Sequence, residues 1–185
     1  MGGNGLAPLS PGPGSHAARH GGERGQARAT RLPDPPRALT LRVATPADAD
    51  AITALVDEAY GHYVERIGRK PGPMTWDYAE MIRAWDVTVA ESGDDIVGLL
   101  MVGPTDEGYV VENVAVHPSQ QGKGLGRILL ELAEAKARHA GFDSIYLFTH
   151  EKMTENQALY ARLGYGEYER RTENGLSRVF MRKQL

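Results

Sequence analysis

The run His117-Pro118-Ser119-Gln120-Gln121-Gly122-Lys123-Gly124-Leu125-Gly126-Arg127 constrains this chain more than any other stretch. It follows residues 109–116, the most strongly β-prone segment of the sequence. It precedes Ile128, Leu129, Leu132, Ala133 and Ala135, spaced as the apolar face of a helix that closes at Gly141. Glu134 and Arg138, four apart, are expected as an exposed pair on that helix. A strand, a glycine loop and a helix N-terminus therefore meet in one place. Free amide N–H groups converge there, the helix dipole favours negative charge, and glycines let a phosphate approach the backbone. Neither familiar nucleotide motif fits. A P-loop needs Ser or Thr after Gly-Lys, where Gly124 stands, and a dinucleotide fingerprint needs a third Gly where Arg127 stands. A glycine-rich turn without a ligand is the plain alternative.

The segments before this loop predict a domain of strands and helices. Leu39-Thr40-Leu41-Arg42-Val43 alternates as a half-buried strand, and Thr45-Pro46-Ala47-Asp48 has the cap, proline and acid of a helix start. Ile52, Leu55, Val56 and Ala59 supply that helix with an apolar face. Glycines and prolines over 67–73 break it before a second short helix near 75–84. Strands over 87–91 and 96–102 flank a tight turn, and 104–108 makes the next turn into 109–116. Such short connections imply antiparallel neighbours.

Composition separates the ends of the chain. Of 185 residues, the first 38 hold 8 of the 22 Gly and 6 of the 11 Pro, no aromatic residue, and a net charge of +3. Such a stretch cannot bury enough apolar surface to offset its ordering entropy, so 1–38 is expected to be a disordered tail and 39–185 the domain. The whole chain has 21 Lys and Arg against 24 Asp and Glu. That balance argues against nucleic acid or an anionic membrane as partner. The absence of cysteine excludes disulfides, thiolate metal sites and a Cys nucleophile. No histidine pair has metal-ligand spacing and no acidic cluster looks like a cation site, so no metal is expected. No apolar run approaches the ~20 residues of a membrane span, and the N-terminus has no apolar stretch of a signal peptide. A cytoplasmic location is the expectation.

Gln121-x-x-Gly124-x-Gly126, after Val114-Ala115-Val116 and opening a helix, is joined by a second motif. Asn156-Gln157-Ala158-Leu159-Tyr160 follows a strand over 145–149 and leads into Leu163-Gly164-Tyr165. The pair, in this order, resembles the GCN5-related N-acetyltransferase (GNAT) superfamily over essentially all of 39–185. That resemblance implies an α/β (α+β) fold, with a mixed, largely antiparallel sheet splayed between strands 4 and 5 and flanked by about four helices. It implies acetyl-CoA as cosubstrate, a β-bulge in the fourth strand, and an acetyl-pantetheine end facing the backbone of Val114, Ala115 and Val116. The pyrophosphate would rest on amides of Gln121, Gly122, Lys123, Gly124, Leu125, Gly126 and Arg127. Asn156 would touch the cofactor arm and Tyr160 would serve as general acid.

Acyl transfer from a thioester to an amine needs a neutral amine, support for an oxyanion and a proton for the departing thiolate. With no Cys for an acyl-enzyme, direct attack in a ternary complex is expected. Glu112 is the candidate base, because alternation puts it on one face with Val114 and Val116 unless the bulge changes the phase. It could instead position water or pair with an arginine. Tyr160 could simply cap the core, and Asn156 could cap a helix turn. His150 ends the fifth strand near the expected cleft. For the acceptor, Tyr60, Tyr63, Arg66 and Met74 are the candidates, with Arg69 and Lys70 nearby and Arg66 as anchor for an anionic group. The expected partner is a small-molecule amine, with no nucleic acid and no membrane, and a homodimer is left open. Protein lysine or N-terminal acetylation is the alternative, as is a non-catalytic acyl-CoA-binding module.

Overall fold

A computed structural model describes residues 38–185, so the predicted tail lies outside the described residues except for Ala38. Seven strands are present: β1 (Leu39–Val43), β2 (Asp86–Ser92), β3 (Asp95–Thr105), β4 (Gly108–Val116), β5 (Ser144–His150), β6 (Gly166–Glu173) and β7 (Leu176–Gln184). They form one sheet in the order β1-β2-β3-β4-β5-β7-β6, parallel only between β4 and β5. β7 folds back from β6 into the slot beside β5, a placement that neighbouring hairpin logic alone does not give.

Helices cover both faces. α1 (Ala49–Tyr60) and α3 (Tyr78–Ala84) bury Ile52, Leu55, Val56 and Tyr78 against Val89, Leu99 and Met101. α4 (Leu125–His139) buries Leu125, Leu129, Leu130, Ala133 and Ala137 on the other face, against Leu100, Val111 and Ile145. Alternation within β3 sends Leu99 and Leu100 to opposite cores. At the start of α1, the Asp48 carboxylate accepts the Thr45 N–H at 2.7 Å and both Arg42 Nη groups at 2.8 Å. Asp77 caps α3 by accepting from Ala79 N–H and Glu80 N–H.

Five α-helices are present among the described residues, because the first helix ends at Tyr60 and α2 (Tyr63–Ile67) is a separate short helix; α5 (Thr154–Arg162) is the last. Arg66 therefore lies in α2, with His62 as the residue before its first turn. Two expectations are corrected here. The inward stripe of α4 is rotated from the predicted one, leaving Ile128 43% exposed. Glu134 lies in that stripe and is buried, not exposed beside Arg138. It is tolerated because Lys183 Nζ donates to it at 2.7 Å and the Tyr165 hydroxyl at 3.4 Å.

Candidate active site

β4 and β5 pair only at Tyr109↔Ile145, Val110↔Tyr146 and Val111↔Leu147. β5 stays paired with β7 as far as His150↔Arg178, so it is β4 that leaves. The cause is local. On the β3 side, Met101 pairs with Asn113 but Val102 pairs with Val111, making Glu112 an inserted bulge residue. A bulge bends its strand and sharpens its twist, which opens the sheet from Val111 onward.

The bulge also inverts the side-chain phase. Tyr109 and Val111 pack in the α4-side core, and so do Val114 and Val116, whereas Ala115 packs under α1. Glu112 does not share their face. It stands with Phe148 and Arg178 on a cavity wall, correcting the simple alternation.

Backbone directions follow from the ladder. His117 N–H donates to Val97 C=O at 2.9 Å, so bonded pairs fall at Ala115↔Leu99 and the intervening Val114 and Val116 turn their backbone groups away from β3. Both carbonyls are taken by side chains: the Tyr60 hydroxyl donates to Val114 O at 3.1 Å, and Gln121 Nε2 to Val116 O at 3.0 Å. The two amide N–H groups share that direction, into the gap.

Two cavities open from the gap. The larger, about 520 Å³, runs from Gly122, Gly124 and Arg127 at the start of α4 past Val116. The smaller, about 120 Å³, lies between a roof including Ile67, Pro71 and Trp76 and a floor of Glu112, Phe148 and Arg178. Tyr60, Val114, Asn156 and Tyr160 wall both. Gly122 and Gly124 have φ of 74° and 90°, the left-handed region where a side chain is strained, and open space lies above each. The first backbone bond of α4 runs from Ile128 N–H to Gly124 C=O, so the Leu125, Gly126 and Arg127 amides lack a carbonyl one turn back, whereas Gln121 N–H already donates to Pro118 C=O at 3.3 Å and Lys123 N–H to Gln120 C=O at 3.4 Å.

Electrostatics divides the titratable groups by role. Burial raises the Tyr160 hydroxyl above its ordinary pKa, and it has no hydrogen-bond partner among the described residues. Burial therefore keeps this hydroxyl protonated. Burial also raises Glu112, partly opposed by the Arg178 charge, so this carboxyl holds a proton more readily than an exposed glutamate. Burial lowers His150, and its Nδ1 accepts the Lys152 N–H at 3.1 Å. With Nδ1 accepting, a neutral ring carries its proton on Nε2, and His150 is among the residues lining the smaller cavity.

Residues 51–165 match the Acetyltransferase (GNAT) family. This chain belongs to that family. Among curated relatives, the L-methionine sulfoximine/L-methionine sulfone acetyltransferase of Salmonella typhimurium is 34% identical over 112 residues. That match covers 56% of this chain and 66% of the relative, just under two thirds of its length. The PaiA N-acetyltransferase of Thermoplasma acidophilum, solved with coenzyme A, superposes with a TM-score of 0.69 at 14% identity, covering 80% of this chain and 99% of that one. Salmonella typhimurium YncA, solved with its cofactor acetyl-CoA, gives a TM-score of 0.58 at 26% identity, covering 80% and 94%. The splayed GNAT sheet is common ground.

Within this GNAT cleft the predicted residues divide. Gln121, Gly122, Gly124, Gly126, Arg127, Val114, Ala115, Val116 and Asn156 line the larger cavity. Leu125 is buried in the core, so only its backbone can serve a ligand, and the Lys123 side chain is exposed and outside both cavities. Of the acceptor set, Tyr60 lines both cavities and Tyr63 the larger alone. Arg66 and Met74 line neither. The Arg66 guanidinium grips Glu155 at 2.7 and 2.8 Å, and Met74 packs in the α1-side core. Arg69, likewise, donates to Asn174 C=O at 3.0 Å. These cations tie the roof to α5 and to the β6–β7 turn.

Sequence reasoning missed Asn113, Tyr78 and Arg178. Asn113 Oδ1 accepts the Tyr60 hydroxyl at 2.8 Å, its Nδ2 donates to the Tyr78 hydroxyl at 3.1 Å, and Tyr78 donates onward to Pro73 C=O at 2.9 Å. This buried chain fastens the roof to the bulge. Asn in a valine-rich strand is the signal that could have found it.

Proposed function

We propose that the protein transfers the acetyl group of acetyl-CoA to the primary amine of a small molecule, by direct attack in a ternary complex. The observation that carries the reading is the pair of cavities meeting at Val114 and Tyr160 through the sheet gap. A long thioester and a separate amine can then approach the same atoms from opposite sides. The residues present fit acetyl-CoA: two left-handed glycines under open space, a helix N-terminus, and strand amides facing a gap that an extended chain would fill. Kinship to a methionine sulfoximine acetyltransferase supports a small acceptor with an amino-acid frame.

Acetyl-CoA supplies an acetyl thioester whose carbonyl carbon is open to attack. The chain's own groups do the rest. Glu112, directly or through one water, accepts a proton from the incoming ammonium, whose ordinary pKa of about 10.4 keeps it charged near neutrality. The Val114 amide donates to the carbonyl oxygen as negative charge gathers there. Tyr160 gives its proton to the departing sulfur. The amine nitrogen–carbon bond forms as the carbon–sulfur bond breaks; of the two protons the ammonium loses, Glu112 takes the first and the second restores the proton that Tyr160 gives to the sulfur.

The test is release of free CoA thiol from acetyl-CoA with a panel of amines against enzyme-free controls. Acceptor-dependent release with small amines is expected. Release only with peptides or proteins would replace this reading by protein acetylation, and acetyl-CoA binding without release would make the protein a binding module.

A further inference from the structure

The acceptor cavity holds a cation that the roof does not supply. In the β5–β7 ladder, His150 stands opposite Arg178 and Phe148 opposite Phe180. Residues opposite one another share a face, so Phe148, His150 and Arg178 project to the same side. The Arg178 guanidinium carbon lies 4.4 Å from the centre of the Phe148 ring. Its Nη1 donates to Glu173 Oε2 at 2.7 Å, while Nε and Nη2 make no hydrogen bond among the described residues. Ring and carboxylate hold the fork in place and leave donors over, the arrangement that favours recognition of a planar anion. Glu112 lines the same cavity and is coupled electrostatically to Arg178. Ile67, Trp76 and Leu176 supply apolar wall.

One carboxylate, one guanidinium and an apolar surface complement a zwitterion with an apolar side chain. We propose that Arg178 is the specificity-determining residue for the acceptor, binding the carboxylate of an α-amino acid whose amine turns toward Glu112. His150 Nε2–H is the second donor to that carboxylate. The inference rests on the acetyl-transfer reading above. It rules against polyamines and lysine side chains, which would bring a second cation or a chain without an anion toward Arg178.

The experiment uses matched acceptors built on leucine, methionine and phenylalanine: the amino acid, its amide, and the amine lacking the carboxyl. CoA release is measured for the wild type, Arg178→Met and Arg178→Lys. The wild type should prefer the amino acids. Arg178→Met should raise their KM by about 10–100-fold, the loss expected for hydrogen bonds to a charged group. The KM values for the amides and for acetyl-CoA should hold, and Arg178→Lys, which keeps the charge without the fork, should fall between. A retained rise in melting temperature with acetyl-CoA checks that each variant is folded. Turnover without carboxylate preference, or an Arg178→Met loss shared by the amides, overturns the inference and leaves acetyl transfer standing. No release with any member of the panel removes the acetyl-transfer reading and the inference with it.

Discussion

At the α4 end of the cleft, the backbone groups offered to a ligand come from residues 114–127, while side chains of 59–63 and 155–162 complete the wall. At the other end, the walls come from residues 60, 67–76, 111–114, 147–156 and 176–178, joined only by folding. The first end is backbone: glycine conformations, a helix start, two strand amides. The second is side chains drawn from several elements. A contiguous backbone device tolerates any side chain that leaves φ and the open space alone. A convergent side-chain device depends on every element arriving, which is why so many cross-ties gather around it. Arg66 to Glu155, Arg69 to Asn174 C=O, and the Tyr60–Asn113–Tyr78 chain all hold the roof.

The sharpest break of the backbone end is Gly124→Glu. The new residue must hold φ near 90° and sends a carboxylate into open space at a helix N-terminus, where an incoming phosphate would meet it. Acetyl-CoA should no longer raise the melting temperature, and turnover should vanish with it. A preserved shift would move the cofactor away from this loop. At the junction, Tyr160→Phe should leave acetyl-CoA affinity nearly intact and lower turnover by about 10²–10⁴, the usual loss for a positioned acid. Equal turnover would take Tyr160 out of the chemistry.

The contrast between the ends also explains what could be read in advance. The splayed sheet came with the family resemblance, whereas the strand, glycine loop and helix start at α4 were legible because they are neighbours in sequence. The face of Glu112 was not, because one inserted residue reverses every side chain beyond it and nothing in Val110-Val111-Glu112-Asn113-Val114 marks the insertion. Arg66 looked like an anchor because a cation beside aromatics is what an anion site needs. Its real partner, Glu155, is 89 residues away. Arg178 drew no attention as one of three cations in β7, and only the β5–β7 pairing brings it to Phe148 and His150.

Glu112→Gln sharpens the comparison from the side-chain end. A base works in its ionised form, and burial raises this carboxyl above the ordinary value. The acidic limb of the kcat/KM profile should therefore lie above the usual carboxylate range, with activity rising as pH climbs through it, and Gln should erase that limb. Stability runs the opposite way. The folded protein holds this proton more tightly than the unfolded chain, so the site's contribution is full below the unfolded pKa and is lost as pH rises through the folded one. Near neutrality the Gln variant should melt slightly higher while turning over more slowly. An unchanged acidic limb would leave Glu112 a spectator.

The smallest effect is expected from Arg66→Ala. Its guanidinium lies outside both cavities, with 41% of the side chain exposed and the partner carboxylate 57% exposed. Exposed ion pairs are screened by water and contribute little to stability. A second tie also survives the substitution, because Lys152 Nζ donates at 3.0 Å to the backbone carbonyl of residue 66. The roof should therefore stay seated and the melting temperature should scarcely move. Acceptor KM should hold as well, in contrast to the large rise expected for Arg178→Met. The pair of variants thus sets a roof tie against a floor anchor of the same residue type in the same assay. A raised acceptor KM in Arg66→Ala, with the acetyl-CoA constant unchanged, would mean that the roof swings its cation inward when the acceptor binds. The anion contact would then belong to the mobile side of the cavity and not to the sheet.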